Sequence, residues 1–565
     1  MMKLQKILAM GSALMLAVGA AIMQPARAQQ PHSATPSDDP AACRALINVP
    51  NLTILSADIT PPKGNTPAYC HVMGLIPAGI HWHMQLPLPS KWNGRLLNVG
   101  NGGKAGNLVY ADHRLAEGYA IANSNTGHDN GAEPNSSFAF DNKQEAIDFG
   151  WRSAHVTANA SKTLVADYYG KAQKYAYWEG CSTGGRQGMM EVQRFPDDFD
   201  GIVVGSPVID YEKLNAAHIW SLKSLMKNHY EGNLAYDSNG NGHYDSVTKL
   251  NILRDAVMAK CDAKDGIKDG VIDNPMACDF NPERDLAGKM CPGDKNADAC
   301  FTKAEMRTIK DLYGGPHDSK GKRILKGLMF GSEAQWPQNI IPYGGNNFMP
   351  SNLGYEIDHA NFLFYEQAKG VPPADIKDLS YHENKTGVFP EYAWWDFNFD
   401  DFTAGKIEPM MRIFDATDPD LTRALIQKKA KLLMYQGWAD GDAYPTMILD
   451  YYQEMVKTTF KGNMDAAHED ALLFMAPGMG HCGGGPGPNE WDKLAPLVNW
   501  VENGKAPDYI VADHRTNKRN AQANAPVDNQ RKLCPYPEHE VYVGPAGGQN
   551  ERQNWIAANF ACKAD

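Results

Sequence analysis

A serine among glycines is the residue of this chain best suited to act as a nucleophile. Ser182 stands in the run Gly-Cys-Ser-Thr-Gly of residues 180–184, a G-x-S-x-G pattern. Residues 175–178 before it predict a short buried strand, and residues 187–194 after it can form a helix. A strand, a tight turn and a helix hold a serine hydroxyl at a helix N-terminus, where backbone N–H groups stabilise an oxyanion. The pattern therefore predicts a nucleophilic serine.

An acid and a base for this serine follow two later strand-like runs. Asp440 comes after residues 431–435, and His481 comes after residues 471–475. A histidine takes the serine proton, and a carboxylate fixes the histidine tautomer and stabilises its cation. The chain order Ser, Asp, His is that of α/β-hydrolases. We predict Ser182, Asp440 and His481 as a catalytic triad, with Asp442 as a competing acid in the same turn.

A glycine-rich run at residues 100–103, after the strand-like residues 95–99, completes the expected chemistry. An oxyanion hole normally combines the N–H after the nucleophile with an N–H from a loop after an earlier strand. We predict Thr183 as the first donor and Gly102 or Gly103 as the second. A simple turn is the alternative interpretation of this loop.

Strands and helices alternate around these residues in two blocks. The strand-like runs are residues 69–75, 80–86, 95–99, 119–122, 175–178, 201–204, 431–435 and 471–475. The helical patterns cover residues 145–169, 446–457 and 490–503. Such alternation predicts a parallel sheet with helices on both faces. We therefore predict an α/β protein in which residues 29–207 and 429–565 form an α/β-hydrolase domain and residues 208–428 form an inserted lid (cap) domain.

The first 28 residues have the composition of a removable export signal. Lys3 and Lys6 precede an apolar run at residues 7–23, and Ala-Arg-Ala at residues 26–28 is an A-x-A cleavage site. The apolar run is shorter than the roughly 20 residues that cross a bilayer. We predict that the mature protein is exported, to the periplasm or the medium, and has no membrane span.

The chain has ten cysteines, an even number that favours disulfides in an oxidising compartment. Pairing by proximity in sequence predicts the bonds Cys43–Cys70, Cys261–Cys278, Cys291–Cys300 and Cys534–Cys562. Cys181 and Cys482 are left, and a bond between them would hold Ser182 beside His481. No C-x-x-C motif supports a thiolate metal site.

Composition narrows the class of protein. The net charge is −12 and no run of Lys and Arg occurs, which argues against a nucleic-acid partner, because such binding depends on clustered cations. A hydrophobic content of 43% indicates a globular chain, and 565 residues exceed one ordinary core. No oligomeric state is predicted.

An acidic loop at residues 261–273 has the character of a metal site. Its oxygen donors are the carboxylates of Asp262, Asp265 and Asp269 and the carbonyls of Ile267 and Val271. All-oxygen ligation suits Ca²⁺, whereas a solvated acidic turn is the alternative. A second loop, residues 237–242, begins like an EF-hand but has Thr248 where a bidentate glutamate is needed, so we predict a turn there.

Together, G-C-S-T-G-G, G-W-A-D, G-H-C and the D-x-x-D-G-x-x-D-G loop resemble the tannase and feruloyl esterase family over nearly the whole mature chain. The resemblance implies a secreted serine esterase with the triad predicted above and a disulfide between the cysteines beside the catalytic Ser and His. It also implies a lid that binds structural Ca²⁺ through the five donors of the acidic loop.

The family's substrates are esters of aromatic acids, such as galloyl, feruloyl or mono-hydroxyethyl terephthalate esters, so the resemblance implies a small aromatic ester substrate and an acid pocket in the lid. The aromatic run at residues 392–399, with Trp394, Trp395 and Phe397, is a candidate wall of that pocket, and lid core is its alternative role. Two other functions stay open: a secreted serine peptidase, and a catalytically inactive α/β-hydrolase that binds aromatic ligands.

Overall fold

The computed structural model describes residues 37–104, 106–129, 136–139, 142–337, 339–344, 350–356, 359, 397–406, 412–515 and 526–564. Residues 1–28, predicted as an export signal, lie outside these ranges. Within them, no helix has the length and apolar character that crossing a bilayer requires.

A nine-stranded mixed sheet is the central element of the described residues. Its strands are β1 Thr53–Thr60, β2 Tyr69–Ile76, β3 Ile80–Pro87, β4 Arg95–Val99, β5 Ala120–Ser124, β6 Tyr175–Cys181, β7 Gly201–Gly205, β8 Lys431–Gly437 and β9 Ala471–Ala476. They lie in the order β1-β2-β3-β5-β4-β6-β7-β8-β9. Strands β4 to β9 pair in parallel, and β1, β2 and β3 pair antiparallel with their neighbours. The predicted strand runs all fall on these strands, and β1 was not predicted.

The parallel part of the sheet follows from sequence. Strands β7 and β9 are almost entirely buried and read Gly-Ile-Val-Val-Gly and Ala-Leu-Leu-Phe-Met-Ala. Continuous apolar runs of this kind are typical of parallel strands covered on both faces. Strands β2 and β3 differ, because only residues 77–79 join them and so short a connection permits only antiparallel pairing.

Helices cover the sheet and fill the region between β7 and β8. The first eight are α1 Pro40–Ala45, α2 Asp112–Ala116, α3 Lys143–Ile147, α4 Ser153–Tyr169, α5 Thr183–Arg194, α6 Tyr211–Tyr230, α7 Thr248–Cys261 and α8 Pro282–Asp285. The others are α9 Lys303–Gly314, α10 Ser351–Glu356, α11 Phe399–Thr403, α12 Pro445–Thr459, α13 Met464–His468 and α14 Ala495–Asn503.

The helix predicted over residues 490–503 corresponds to α14, which starts five residues later than predicted. Its first turn contains Pro496, which has no N–H to bond to an earlier carbonyl, and Asp492 accepts the N–H groups of Leu494 and Ala495.

The helix predicted over 145–169 is interrupted by a π-helical turn at Asp148–Arg152. The guanidinium of Arg186, from α5, donates to the carbonyls of Phe149 and Gly150 in this turn and to that of Phe414. Burial lowers the pKa of Arg186 to about 10, so the group stays charged at neutral pH. The buried side chain of Arg186 therefore connects α5 to the π turn and to the segment around Phe414, which leads from the region between β7 and β8 back to the sheet.

Strands β7 and β8 are neighbours in the sheet although residues 206–430 separate them in sequence. Helices α6 to α11 belong to this intervening region, which we call the lid. The predicted lid boundaries, residues 208 and 428, both fall in loops. Adjacent parallel strands need only one crossover helix between them, and the connection from β7 to β8 is far longer than that. The lid is therefore an insertion after the carboxyl end of β7, at the edge of the sheet where the candidate site lies.

Two small antiparallel sheets near the end of the described chain were not predicted. One pairs β10 Ile510–Arg515 with β11 Val527–Leu533, and the other pairs β12 His539–Tyr542 with β13 Phe560–Lys563. The bond Cys534–Cys562 links the segment after β11 to β13. These strands are short and polar, which gives little sequence signal.

Candidate active site and metal loop

Ser182 occupies a sharp turn between β6 and α5. Its backbone has φ 62° and ψ −125°, a conformation that is strained for a residue with a side chain. The turn needs glycines around it: a Cβ on Gly180 would lie 2.3 Å from the carbonyl oxygen of Gly184, and one on Gly100 would lie 2.5 Å from the Cα of Gly184. The turn therefore packs directly on the loop that follows β4.

His481, Ser182 and Asp440 form one hydrogen-bonded chain. The Nε2 of His481 lies 2.8 Å from the Oγ of Ser182, and its Nδ1 lies 2.9 Å from Oδ2 of Asp440. Ser182 follows β6, Asp440 follows β8 and His481 follows β9, all at the carboxyl ends of parallel strands. The structure thus brings together the three residues predicted as a triad, in the geometry that proton transfer from serine to histidine requires.

Asp440 is fixed more firmly than its competitor Asp442. Asp440 is fully buried, accepts the N–H groups of Asp442 and Ala443 at 2.9 Å, and accepts Nε2 of Gln436 at 2.9 Å. Asp442 instead accepts from Asn339 in the lid, and burial raises its pKa. The carboxylate of Asp442 lies within 4.8 Å of the other two groups, but the hydrogen bond to His481 comes from Asp440. The geometry favours Asp440 as the acid.

All five predicted disulfides are confirmed. The bond Cys181–Cys482 joins residues that are 301 positions apart in sequence, with a Cα–Cα distance of 6.0 Å. Each cysteine is the chain neighbour of a member of the Ser182–His481 pair. The covalent bond therefore limits how far the serine and histidine can separate.

The predicted oxyanion donors lie beside Ser182. Thr183 is the first residue of α5, where an N–H group has no acceptor within the helix. Gly102 and Gly103 line the same cavity as Ser182 and Thr183. Asn101 fixes this loop, because its backbone N–H donates to Oε1 of Gln187 and its side-chain amide donates to the carbonyl of Ser124. The arrangement has donor groups near the nucleophile, as an oxyanion hole requires.

A cavity of about 530 Å³ opens above Ser182 and is partly walled by lid residues. Tyr211, Leu214, Asn215 and His218 line it from α6, and Glu356 lines it from α10. The α6 residues were not predicted, although their spacing of i, i+3, i+4 and i+7 is that of one helix face. That spacing is the sequence signal that would have indicated a cavity wall.

The predicted aromatic wall is only partly within the described chain. Trp394 and Trp395 lie outside the described residues. Phe397 is 2% exposed, does not line the cavity, and packs on Phe399 and Phe402. For Phe397 the pocket prediction is therefore corrected to a role in lid core, because its neighbours along the chain enclose the ring.

Several carboxylates of the acidic loop are buried, and two of their oxygens have no hydrogen-bond donor within the described residues. Burial raises the pKa of Asp262, Asp265 and Asp269, that of Asp265 to about 9 with Asp273 as a further cause. Oδ2 of Asp265 and Oδ1 of Asp273 are buried and meet no donor among the described residues. The guanidinium of Arg531 contacts only one of these groups, Asp269. A divalent cation would compensate the remaining charge, so the residues fit Ca²⁺, with Asp273 as a donor that the sequence prediction omitted.

The backbone of the acidic loop bonds to the carboxylates of the same loop. The N–H of Ile267 donates to Asp265, and the N–H of Val271 donates to Asp269. In the second loop, the carboxylate of Asp237 accepts the N–H groups of Asn239, Asn241 and Gly242.

The sheet, the turn at Ser182 and the residues after β8 and β9 define the class of protein, which is an α/β-hydrolase. Residues 70–558 match the family model described as "Tannase and feruloyl esterase", and the chain belongs to that family. It is therefore a carboxylic ester hydrolase of the tannase and feruloyl esterase type.

Relatives of known name agree with this assignment. The mono(2-hydroxyethyl) terephthalate hydrolase of Piscinibacter sakaiensis is 31% identical over 555 residues, which cover 90% of this chain and 87% of the relative. Feruloyl esterase B of Aspergillus niger is 29% identical over 492 residues, covering 83% and 82% of the two chains. The crystal structure of feruloyl esterase B from Aspergillus oryzae superimposes with a TM-score of 0.72 at 23% identity, covering 93% of this chain and 100% of that one, and shows the shared fold.

Removing the Cys181–Cys482 bond should impair both stability and activity. We expect Cys181→Ser/Cys482→Ser to lower the free energy of unfolding by about 2–4 kcal/mol, since the bond closes a very long loop. Ester hydrolysis should fall more than stability alone explains, because Ser182 and His481 are no longer held together. Denaturant titration and kcat/KM for an aryl ester measure the two effects.

The matched control is Cys291→Ser/Cys300→Ser, which opens a loop with a separation of only 9 residues in the lid. It should keep its kcat/KM and lose less stability. Full activity in the Cys181→Ser/Cys482→Ser protein would contradict the proposed restraint.

Proposed function

We propose that this protein is an exported serine esterase that hydrolyses carboxylic esters of aromatic, phenolic acids. The observation that carries the proposal is the hydrogen-bonded chain Ser182–His481–Asp440 at the floor of a lid-covered cavity, in a member of an esterase family. Val208, Tyr211 and Leu214 give the cavity apolar walls suited to an aromatic ring. The names of two relatives refer to a terephthalate ester and to feruloyl esters.

The proposed mechanism assigns each group one role. His481 takes the Ser182 proton at Nε2 while Oγ attacks the ester carbonyl carbon, and Asp440 stabilises the resulting imidazolium. The N–H of Thr183 and that of Gly102 or Gly103 bind the oxyanion. The ester C–O bond then breaks, and the alcohol leaves with the proton from His481. Water, deprotonated by His481, attacks the acyl-serine and releases the aromatic acid.

Export and a structural calcium ion complete the proposal. Five disulfides are compatible with folding in an oxidising compartment. The composition of residues 1–28 supports an export signal. Calcium would be held by the predicted donors, which are Asp262, Asp265, Asp269 and the carbonyls of Ile267 and Val271, together with Asp273. There it would stabilise the lid and take no part in the ester chemistry.

Hydrolysis of a small ester panel tests the function. The panel contains methyl gallate, methyl ferulate, mono(2-hydroxyethyl) terephthalate and p-nitrophenyl acetate. We expect turnover of at least one aromatic-acid ester with kcat/KM well above that for the acetate. Ser182→Ala should remain folded and lose about a million-fold in kcat, because the nucleophile is absent.

Hydrolysis of p-nitrophenyl acetate alone would contradict the aromatic-acid assignment. Cleavage of peptides without cleavage of the aromatic esters would instead identify a serine peptidase. Unchanged activity in Ser182→Ala would contradict the nucleophile itself.

Calcium removal should destabilise the protein without a change in chemistry. Binding at a hundredfold excess over Kd contributes about 2.7 kcal/mol, so chelation should lower Tm by about 2–3 °C in a chain of this size, and added Ca²⁺ should reverse the loss. Asp265→Asn should abolish the response to Ca²⁺, whereas the control Asp237→Asn in the second loop should keep it. A Tm that is insensitive to chelation, in protein that elemental analysis finds free of calcium, would contradict the site.

A further inference from the structure

Glu356 is a buried carboxylate in the cavity that the proposed mechanism does not use. It is the last residue of α10, is 0% exposed and lines the cavity together with Ser182. Its Oε1 lies 3.1 Å from Nδ1 of His218. Its Oε2 has no hydrogen-bond partner within the described part of the chain. A buried acceptor without a donor is costly, so this oxygen is suited to a donor that arrives with the substrate.

The hydrogen bonds of His218 define what Glu356 can do. Nε2 of His218 lies 2.8 Å from the backbone carbonyl of Asp442, which can only accept, so Nε2 carries a proton. Nδ1 then either donates to the Glu356 carboxylate or accepts from its acid form. In both arrangements the second oxygen, Oε2, is left as an acceptor. The cavity therefore presents an acceptor at this position whichever partner holds the proton.

Lys104 reinforces the acceptor. It is 1% exposed, lines the cavity and donates from Nζ to the carbonyl of Tyr355, the residue before Glu356. Burial raises the pKa of Glu356, while the hydrogen bond from His218 and the charges of His218 and Lys104 oppose the rise. Tyr211 and Leu214 contribute apolar surface to the cavity, and Asn215, His218 and Asp442 contribute polar groups. A few fixed polar groups among apolar walls orient a ligand and select among close analogues. Among the described residues that line the cavity, Oε2 of Glu356 and Oδ1 of Asp442 are the carboxylate oxygens without a hydrogen-bond partner.

We propose that Glu356 accepts a hydrogen bond from a hydroxyl on the aromatic ring of the acyl group, and that it thereby selects hydroxylated aromatic acids over unsubstituted ones. This inference rests on the proposed esterase function of the Ser182 site. A phenolic O–H supplies the donor that Oε2 lacks. A ring without a hydroxyl leaves Oε2 unpaired, and so does a ring carboxylate, because an ionised carboxylate can only accept hydrogen bonds.

Matched esters test this selection. The pair is methyl caffeate and methyl cinnamate, which differ only in ring hydroxyls, with methyl gallate and methyl benzoate as the pair for a shorter acyl group. For the pair that is hydrolysed faster, we expect wild-type kcat/KM to favour the hydroxylated ester by about 10-fold to 100-fold, the range for a hydrogen bond to a charged group. Glu356→Leu should bring this ratio close to one, and Glu356→Gln, which keeps a neutral acceptor, should give an intermediate ratio.

A buried lid glutamate outside the cavity serves as the control. Glu333 is 1% exposed, and its carboxylate already accepts from Tyr313 Oη and from the N–H of Gly331. Glu333→Gln should leave the hydroxylated-to-unsubstituted ratio unchanged. Because the readout is a ratio, it does not depend on the fraction of each variant that folds.

The possible outcomes distinguish a failure of the role of Glu356 from a failure of the proposed esterase function. A wild-type ratio near one, or a Glu356→Leu protein that keeps the wild-type ratio, would overturn the role of Glu356 while the esterase assignment stands. Hydrolysis of p-nitrophenyl acetate without hydrolysis of any aromatic ester would overturn the proposed function. Faster hydrolysis of mono(2-hydroxyethyl) terephthalate than of every hydroxylated ester would also contradict the selection.

Discussion

The hydrogen bond between His481 and Ser182 joins parts of the chain that are almost three hundred residues apart. Several elements of the described structure are needed to position these two side chains. Parallel pairing brings the ends of β6, β8 and β9 to one edge of the sheet. The Cys181–Cys482 bond then restrains the two side chains covalently. The strained backbone of Ser182 is tolerated because α5 is anchored from below by the buried guanidinium of Arg186.

The lid also contacts the elements that position Ser182 and Asp440. Its return segment meets α5 through Arg186, and α6 and α10 form the cavity wall above Ser182. His218 connects this wall to the acid loop, because it bonds both Glu356 and the carbonyl of Asp442. In the proposed account, substrate recognition by Glu356 and the orientation of the acid loop therefore belong to one hydrogen-bond network, through which a change in the lid would affect the chemistry.

Sequence alone was sufficient for features that are local or covalent. The turn at Ser182 has a glycine signature, the parallel strands are apolar runs, and the cysteines pair by proximity and elimination. It was insufficient where tertiary packing decides. Phe397 was predicted as a candidate pocket wall, with lid core as its alternative role, because aromatic residues occur in both places and the sequence does not distinguish them. Glu356 was not predicted, because a single buried glutamate has no sequence pattern. The π turn at Asp148–Arg152 was missed because its carbonyls are satisfied by Arg186 from another helix.

The most direct test of the account is the rate and site of reaction with a fluorophosphonate. Peptide mass spectrometry of the labelled protein should find one adduct, on Ser182. Asp440→Asn should slow labelling by up to about ten-thousand-fold, since the histidine loses its orienting carboxylate, whereas Asp442→Asn should have a much smaller effect. Label on another residue, no label at all, or an equal loss in Asp442→Asn would contradict a Ser182–His481–Asp440 triad.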